Sequence, residues 1–146
     1  MIDFKEHFNV FDTRINVSVV TVNLRAIMGA GIAKDCKNRY PEVYEAYAKD
    51  CFNDIIGIGN CTEYTARDGR KIICFPTKTT WKRPSKYEYI HRGLKDLYSI
   101  LLGTNPQLVV GVPPLGCGLG GLDYKVVKEM IIKALDSLPN EIWIVK

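Results

Sequence analysis

The 146-residue sequence contains no apolar run of eighteen residues, and its first residues, MIDFKEHF, are charged rather than apolar. A membrane-spanning helix needs about 20 mostly apolar residues and a secretory leader needs an apolar segment of its own. Neither is expected, and the chain is expected in the cytoplasm. No two of the five cysteines stand in C-x-x-C spacing, and there are only two histidines, His7 and His91. That combination speaks against a zinc site, and an odd set of free thiols suits a reducing compartment. The two histidines are read as surface or packing residues. The phosphate-loop pattern G-x-x-x-x-G-K-[ST] is absent, which excludes that class of nucleotide hydrolase. No linker, internal repeat or low-complexity stretch interrupts the chain, so residues 1–146 are assigned to one domain. Charge is nearly balanced, with 20 basic and 16 acidic residues and a net charge of +4. Such a balance tolerates a polyanionic partner without requiring one.

What is present is an alternation of strand and helix patterns. Ile2 to Lys5 is a short candidate strand, and Asn16 to Asn23 (NVSVVTVN) is β-branched and apolar, as a buried strand should be. Gly29 to Tyr40 reads as a helix opened by glycines, and Pro41 starts a second helix, PEVYEAYAKDCF. Cys61 to Thr65 and Lys71 to Phe75 read as strands around an Asp68-Gly69 turn. Ser85 to Leu102 is an amphipathic helix, Gln107 to Val112 a buried strand, Asp123 to about Leu138 a capped helix, and Glu141 to Val145 a last strand. This order predicts an α/β sandwich with parallel strands, whose ligands bind beyond the carboxyl ends of the strands.

Two glycine-rich turns fall at those ends. Met28-Gly29-Ala30-Gly31-Ile32-Ala33 follows the strand ending at Asn23. Pro113-Pro114-Leu115-Gly116-Cys117-Gly118-Leu119-Gly120-Gly121 follows the strand ending at Val112. Glycines let a backbone approach a ligand closely, and a helix start offers free N–H groups to an anion. Tight packing alone is the competing explanation for either turn taken singly. The second turn matches G-x-G-x-x-G, yet it comes too late in the chain for a dinucleotide-binding fingerprint, with only one helix and one strand remaining. Two such turns at one sheet edge suggest a diphosphate held between backbone walls. No paired carboxylates and no Ser-His-Asp set stand out.

The remaining chemical signal is Phe75-Pro76-Thr77-Lys78-Thr79-Thr80-Trp81. Lys78 leaves a buried strand at the same edge. There it can act as nucleophile or base, or serve as a plain phosphate contact or surface lysine. Lys71, Lys78, Lys82, Arg83 and Lys86 are interleaved with Phe75, Trp81 and Tyr87. This reads either as a solvated loop or as a phosphate-tracking rim with aromatics for base stacking, with Trp81, Lys82 and Arg83 the candidate nucleic-acid contacts.

The stretches VTVN (20–23), MGAGIA (28–33), YPEVYEAY (40–47), FPTKTTW (75–81) and PPLGCGLGGLDY (113–124) together resemble the macrodomain family. They are most similar to the DNA ADP-ribosyl glycohydrolases of the DarG antitoxin type, and their order and spacing cover nearly the whole chain. The resemblance implies a three-layer α/β/α fold around a mixed sheet, with ADP-ribose lying across the glycine turns. Asn9 and Val10 would face the adenine, and Asn23 the distal ribose. Met28, Gly29, Ala30, Gly31 and Ile32 would wrap the diphosphate and that ribose together with Leu115, Gly116, Cys117, Gly118, Leu119 and Gly120, and Thr77 would line the site beside them. Lys78 matches the family's catalytic lysine, which would attack the anomeric carbon of the distal ribose through a lysine-bound intermediate. No metal or other cofactor is implied, and a monomer is the expected state. The partner would be ADP-ribose or an ADP-ribosylated substrate, with single-stranded DNA a candidate carrier.

Four positions depart from the family pattern. Asn9 stands where many relatives have the acid that contacts adenine, which leaves selectivity at that end open. Val20 replaces the first Asn of an N-x-x-N stretch. Ala30 stands where DarG-type chains often carry lysine. Gly120 aligns with the catalytic aspartate of the human terminal ADP-ribose glycohydrolase, although DarG-type chains also carry glycine there. The toxin-neutralising domain of DarG is not expected in these residues. The expected function is removal of ADP-ribose from thymidine-linked DNA adducts. The alternatives are removal from protein carboxylates, processing of ADP-ribose 1″-phosphate, or non-catalytic reading of ADP-ribose.

Overall fold

The computed structural model of the chain describes residues 2–5 and 8–145, so His7 lies outside the described residues. Six strands and four helices follow in the order β1 (Ile2–Lys5), β2 (Val17–Asn23), α1 (Gly31–Arg39), α2 (Pro41–Phe52), β3 (Thr62–Thr65), β4 (Lys71–Lys78), α3 (Tyr87–Leu102), β5 (Val110–Val112), α4 (Tyr124–Leu135) and β6 (Ile142–Val145). The strands form one sheet in the order β1-β6-β5-β2-β4-β3. Every neighbouring pair is parallel except β3 and β4, which form a hairpin. The hairpin closes at Asp68-Gly69, where Gly69 takes a left-handed φ of 91°, as such turns require.

Side-chain alternation along the strands builds the two outer layers. Val17, Val19, Ile73, Phe75, Ile142 and Ile144 face α3 and α4, where they meet Ile90, Leu94, Leu97, Val127 and Ile131. Val20, Val22, Ile72, Cys74, Trp143 and Val145 face the other way, against Cys36 of α1 and Val43 and Tyr47 of α2. The result is the three-layer α/β/α sandwich with a mixed sheet. Burial pushes the Cys36 thiol up to about 12 and that of Cys74 well above its ordinary value, so both behave as small apolar core groups.

Several element ends differ from the sequence expectation, each for a local reason. The first helix begins at Gly31, because Ala30 keeps an extended backbone. The third begins at Tyr87 instead of Ser85, because the Ser85 N–H is drawn to the carbonyl of Gly120 at 3.0 Å. The fifth strand is only Val110–Val112: Leu108 N–H turns back to the Asn105 carbonyl at 3.1 Å, and the Gln107 N–H to the Asn105 side chain at 3.0 Å. The fourth helix ends at Leu135, short of Leu138.

Candidate functional site

The ends of β6, β5, β2 and β4 point the same way because those strands are parallel, and a cleft of about 740 Å³ opens along them. Its floor and walls come from Val145 at the end of β6, Pro113 and Pro114 after β5, Thr21–Asn23 of β2, and Thr77 and Lys78 of β4. Across three strand spacings the floor is about 14 Å wide. Phe8, Asn9 and Val10 close the β6 end, and Lys78 and Trp81 the β4 end.

The first glycine turn enters the cleft as Gly29, Ala30, Gly31 and Ile32. Ala30 occupies the N-cap of α1 and supplies no side-chain acceptor. The first-turn N–H groups therefore have no cap, the arrangement that favours an anion at a helix start. The second turn lines the opposite wall with Gly116, Gly118, Leu119 and Gly120. It is pinned by Cys117 N–H to the Pro114 carbonyl at 3.1 Å, Gly121 N–H to Gly118 at 3.1 Å and Leu122 N–H to Gly116 at 3.0 Å. Gly116 is left-handed at φ 72°. At Gly120 a β-carbon would collide with the Gly116 carbonyl and with Ser85 Oγ. An aspartate, or any other side chain, does not fit at this position unless the turn moves.

Lys78 ends β4 half-buried at the cleft rim, and its amine makes no hydrogen bond or ion pair with the described residues. The pairing of β2 with β4 slips between Val22 and Asn23, so Asn23 lies opposite Lys78 instead of Thr77. Consecutive residues of a regular strand point to opposite faces, and the irregularity is what lets buried Thr77 and Lys78 both reach the cleft. Pro76 sits beyond the last β3 partner of β4, Cys74, so its missing N–H interrupts no β3–β4 ladder. Trp81 lines the rim while 55% exposed. The Lys82 amine lies 5.2 Å from its ring centroid, and exposed Lys82 and Arg83 stand outside the cleft proper.

Asn23 lines the cleft, but its side chain already shapes its own loop. Its Nδ2 donates to the Ile27 carbonyl at 2.8 Å, and its Oδ1 accepts from Arg25 N–H at 2.9 Å. Tyr47 fixes it from below by donating its hydroxyl to the Asn23 carbonyl at 2.6 Å, and burial pushes the Tyr47 hydroxyl up, keeping it a donor. One Nδ2 hydrogen remains for a ligand.

Three of the expected contact residues are not among those lining the cleft. Met28 and Leu115 turn their side chains into the core, and Cys117 packs partly buried against the α3–α4 layer, so none of the three lines the cleft. The glycine turns need these apolar anchors to hold their backbones against the sandwich. His91 is exposed on α3, away from the cleft. The structure also adds residues that the sequence reading missed. Phe8, Ile27, Pro113, Pro114 and Val145 line the cleft, and so does Asp35, the only carboxylate among the described lining residues. Asp35 lies four residues after Gly31 on α1, one helical turn on, and that spacing was the available signal.

A family model for the Macro domain matches residues 19–131. The chain is 44% identical over 125 residues to a protein of Mycobacterium tuberculosis named DNA ADP-ribosyl glycohydrolase, covering 84% of this chain and 35% of that protein. It is 36% identical over 140 residues to a Thermus aquaticus protein of the same name, covering 93% of this chain and 39% of the relative. The chain thus spans little more than a third of the length of these relatives. Among solved structures, the macrodomain of Thermus aquaticus DarG superposes with a TM-score of 0.91 at 36% identity, covering 100% of this chain and 98% of that one. A structure titled Thermosipho africanus DarTG in complex with ADP-ribose superposes with a TM-score of 0.87 at 27% identity, covering 98% of this chain and 41% of that one. With a matching family model over most of its length and this sheet order beneath its glycine turns, the chain belongs to the Macro domain family.

Proposed function

We propose that the chain binds ADP-ribose along the cleft and hydrolyses it from modified DNA, where it is linked to thymidine, with Lys78 as the nucleophile. The observation that carries this reading is the Lys78 amine, without a partner among the described residues, at one end of a cleft walled by two backbone-rich glycine turns. The glycine turns offer N–H donors to a diphosphate, Asn23 a donor to the distal ribose, and the exposed Trp81 a platform for the leaving base. Relatives that share the cleft-forming segments bear the name DNA ADP-ribosyl glycohydrolase, and one DarTG structure is titled as holding ADP-ribose.

In this mechanism the Lys78 amine attacks the anomeric carbon of the distal ribose. The bond from that carbon to the base breaks, its electron pair leaves with the base, and the proton lost by the amine balances the one the base takes up. Water then cleaves the lysine adduct, restoring the amine and freeing ADP-ribose. The cationic residues beside Trp81, Lys82 and Arg83, follow the backbone of the carrier strand.

The test is incubation of an oligonucleotide bearing ADP-ribosylated thymidine with the protein and with Lys78→Ala. Release of ADP-ribose by the wild type alone is the expected result, with Lys78→Ala still binding ADP-ribose in calorimetry. Full activity in Lys78→Ala would overturn the lysine mechanism. Binding without release would move the substrate to protein carboxylates or ADP-ribose 1″-phosphate, or leave a reader without turnover.

A further inference from the structure

The end of the cleft opposite Lys78 is built for a flat group with a hydrogen-bond donor. Its apolar surfaces are Phe8, Ile32 and Val145. Phe8 is held edge-on to Trp143, with ring centroids 5.8 Å apart. Such surfaces receive the face of a base and do not distinguish one base from another. Discrimination must come from a polar edge.

The backbone carbonyls of the adjoining segment already accept hydrogen bonds from within the protein. The Asn9 carbonyl accepts from Asp12 N–H at 2.9 Å. That of Val10 accepts from Ser18 Oγ at 2.6 Å. Those of Phe11 and Asp12 accept from Arg70 Nη2 at 3.0 and 3.2 Å. The side chain of Asn9 is engaged at both atoms, its Oδ1 accepting from Phe11 N–H at 2.8 Å and its Nδ2 donating to Asp35 Oδ2 at 3.2 Å, and what it keeps is one acceptor direction and one donor, a pair that does not separate an amino group from an oxo group. The one carboxylate among the described lining residues is that of Asp35, an acceptor only and charged. Its Oδ1 takes Arg39 Nε at 2.9 Å, its Oδ2 takes Asn9, and each oxygen keeps a second acceptor direction. Asn9 and Arg39 hold the carboxylate from two sides, which restricts its rotamers before a ligand arrives.

We propose that Asp35 is the specificity-determining acceptor for the base end of the ligand, selecting a purine with a 6-amino group over one with a 6-oxo group. The proposal rests on the reading that ADP-ribose occupies the cleft, and it assigns the base-reading role to a side chain on α1, reached through Asn9. An amino group donates to the carboxylate, whereas a carbonyl oxygen in its place meets a second acceptor and a negative charge. Rejection of the wrong base is then repulsive as well as a lost bond. Hydrogen bonds to charged groups support a preference of roughly ten- to hundredfold.

The experiment measures, by calorimetry, the affinities of ADP-ribose and of its deaminated analogue, inosine diphosphate ribose. The proteins are the wild type, Asp35→Ala, Asp35→Asn, Arg39→Ala and the exchange variant Asn9→Asp/Asp35→Asn. The wild type is expected to prefer ADP-ribose by roughly tenfold or more. Asp35→Ala loses the preference by weakening ADP-ribose, and Asp35→Asn, with both a donor and an acceptor, binds the two ligands alike. Arg39→Ala keeps the preference. The exchange variant keeps it too, because the carboxylate moves only across the Asn9–Asp35 hydrogen bond. Helix content and melting temperature, measured alongside, confirm that the variants at this half-exposed helical position are folded. ADP-ribose binding with the wild-type preference intact in Asp35→Ala would overturn this assignment alone. A wild type that binds neither ligand would overturn the ADP-ribose reading and this assignment together.

Discussion

The backbone N–H of Ser85 donates to the Gly120 carbonyl at 3.0 Å, and the Ser85 Oγ occupies the space that a β-carbon on Gly120 would need. The strand-to-helix segment before α3 thereby braces the glycine turn that forms one wall of the cleft. The Ser85 hydroxyl is buried and has no hydrogen-bond partner among the described residues, so it acts there by shape.

Gly120→Ala therefore overpacks a site with no slack, at a cost of about 1–3 kcal/mol. The variant is expected to melt below wild type and to bind ADP-ribose more weakly, because the turn can relieve the collision only by moving into the cleft. Gly120→Asp should be worse, and should not confer the activity of relatives that use an aspartate there. Ser85→Gly should not rescue either variant, since the Gly116 carbonyl still blocks the β-carbon. Ser85→Ala, which removes a buried and unsatisfied hydroxyl, should be neutral or stabilising. Thermal melts and calorimetry on the single variants and on Ser85→Gly combined with each Gly120 variant check the set. Wild-type affinity in Gly120→Ala would show the turn to be pliant.

Trp81 touches the ligand space and the solvent at once, with Lys82 against its ring. Base stacking on an aromatic contributes about 1–3 kcal/mol, so Trp81→Ala should raise the KM for an ADP-ribosylated oligonucleotide by roughly five- to hundredfold. Binding of free ADP-ribose should change far less, because the base on the distal ribose is absent from it. Lys82→Ala and Arg83→Ala should each flatten the salt dependence of oligonucleotide binding by about one phosphate contact. Equal losses on free ADP-ribose and on the oligonucleotide would place Trp81 in the general wall of the cleft instead.

Most of this architecture was legible from local pattern. The two apolar strands before the glycine turns, the proline that starts α2, the Asp123 cap and the Asp68-Gly69 turn are signals within a few residues of each other, and each appears in the structure. FPTK placed Lys78 at the sheet edge correctly. What could not be read was whatever depends on docking between distant segments. The slip between Val22 and Asn23 depends on how β2 meets β4, and no residue in either strand announces it. The Asn9–Asp35 bond spans 26 positions and exists only because α1 lies against the segment entering β2. The burial of Met28 and Leu115 is similar. Both sit inside glycine-rich turns, which the sequence presents as ligand loops, while the core claims their side chains.

Arg70, immediately before β4, controls the same entering segment from beneath. Its Nη1 donates to the Ile15 carbonyl at 2.8 Å and to Ser18 Oγ at 3.0 Å. Its Nη2 donates to the carbonyls of Phe11 and Asp12, and its Nε to the Tyr40 hydroxyl at 3.1 Å. Tyr40 in turn donates to Asp68 at 2.8 Å, and this bond, with the Arg70 N–H, holds the Asp68 carboxyl below its ordinary value. A planar guanidinium can serve this many acceptors in fixed directions, whereas an ammonium offers three donors from one point. Arg70→Lys should therefore cost on the order of 2–3 kcal/mol despite keeping the charge, and Arg70→Ala more, since it strands the carbonyls. Both should lower the melting temperature and speed amide exchange across residues 9–15. Because Asn9 and Val10 ride on that segment, affinity for ADP-ribose should fall with it, while the geometry of Lys78 at the far end stays intact. The discriminating measurement is hydrogen exchange with ADP-ribose present. Recovery of protection over residues 9–15 on ligand addition would show the ligand restoring what Arg70 otherwise maintains. A lysine variant that melts and exchanges like wild type would show the segment to be held by its own apolar anchors, Phe11 and Ile15.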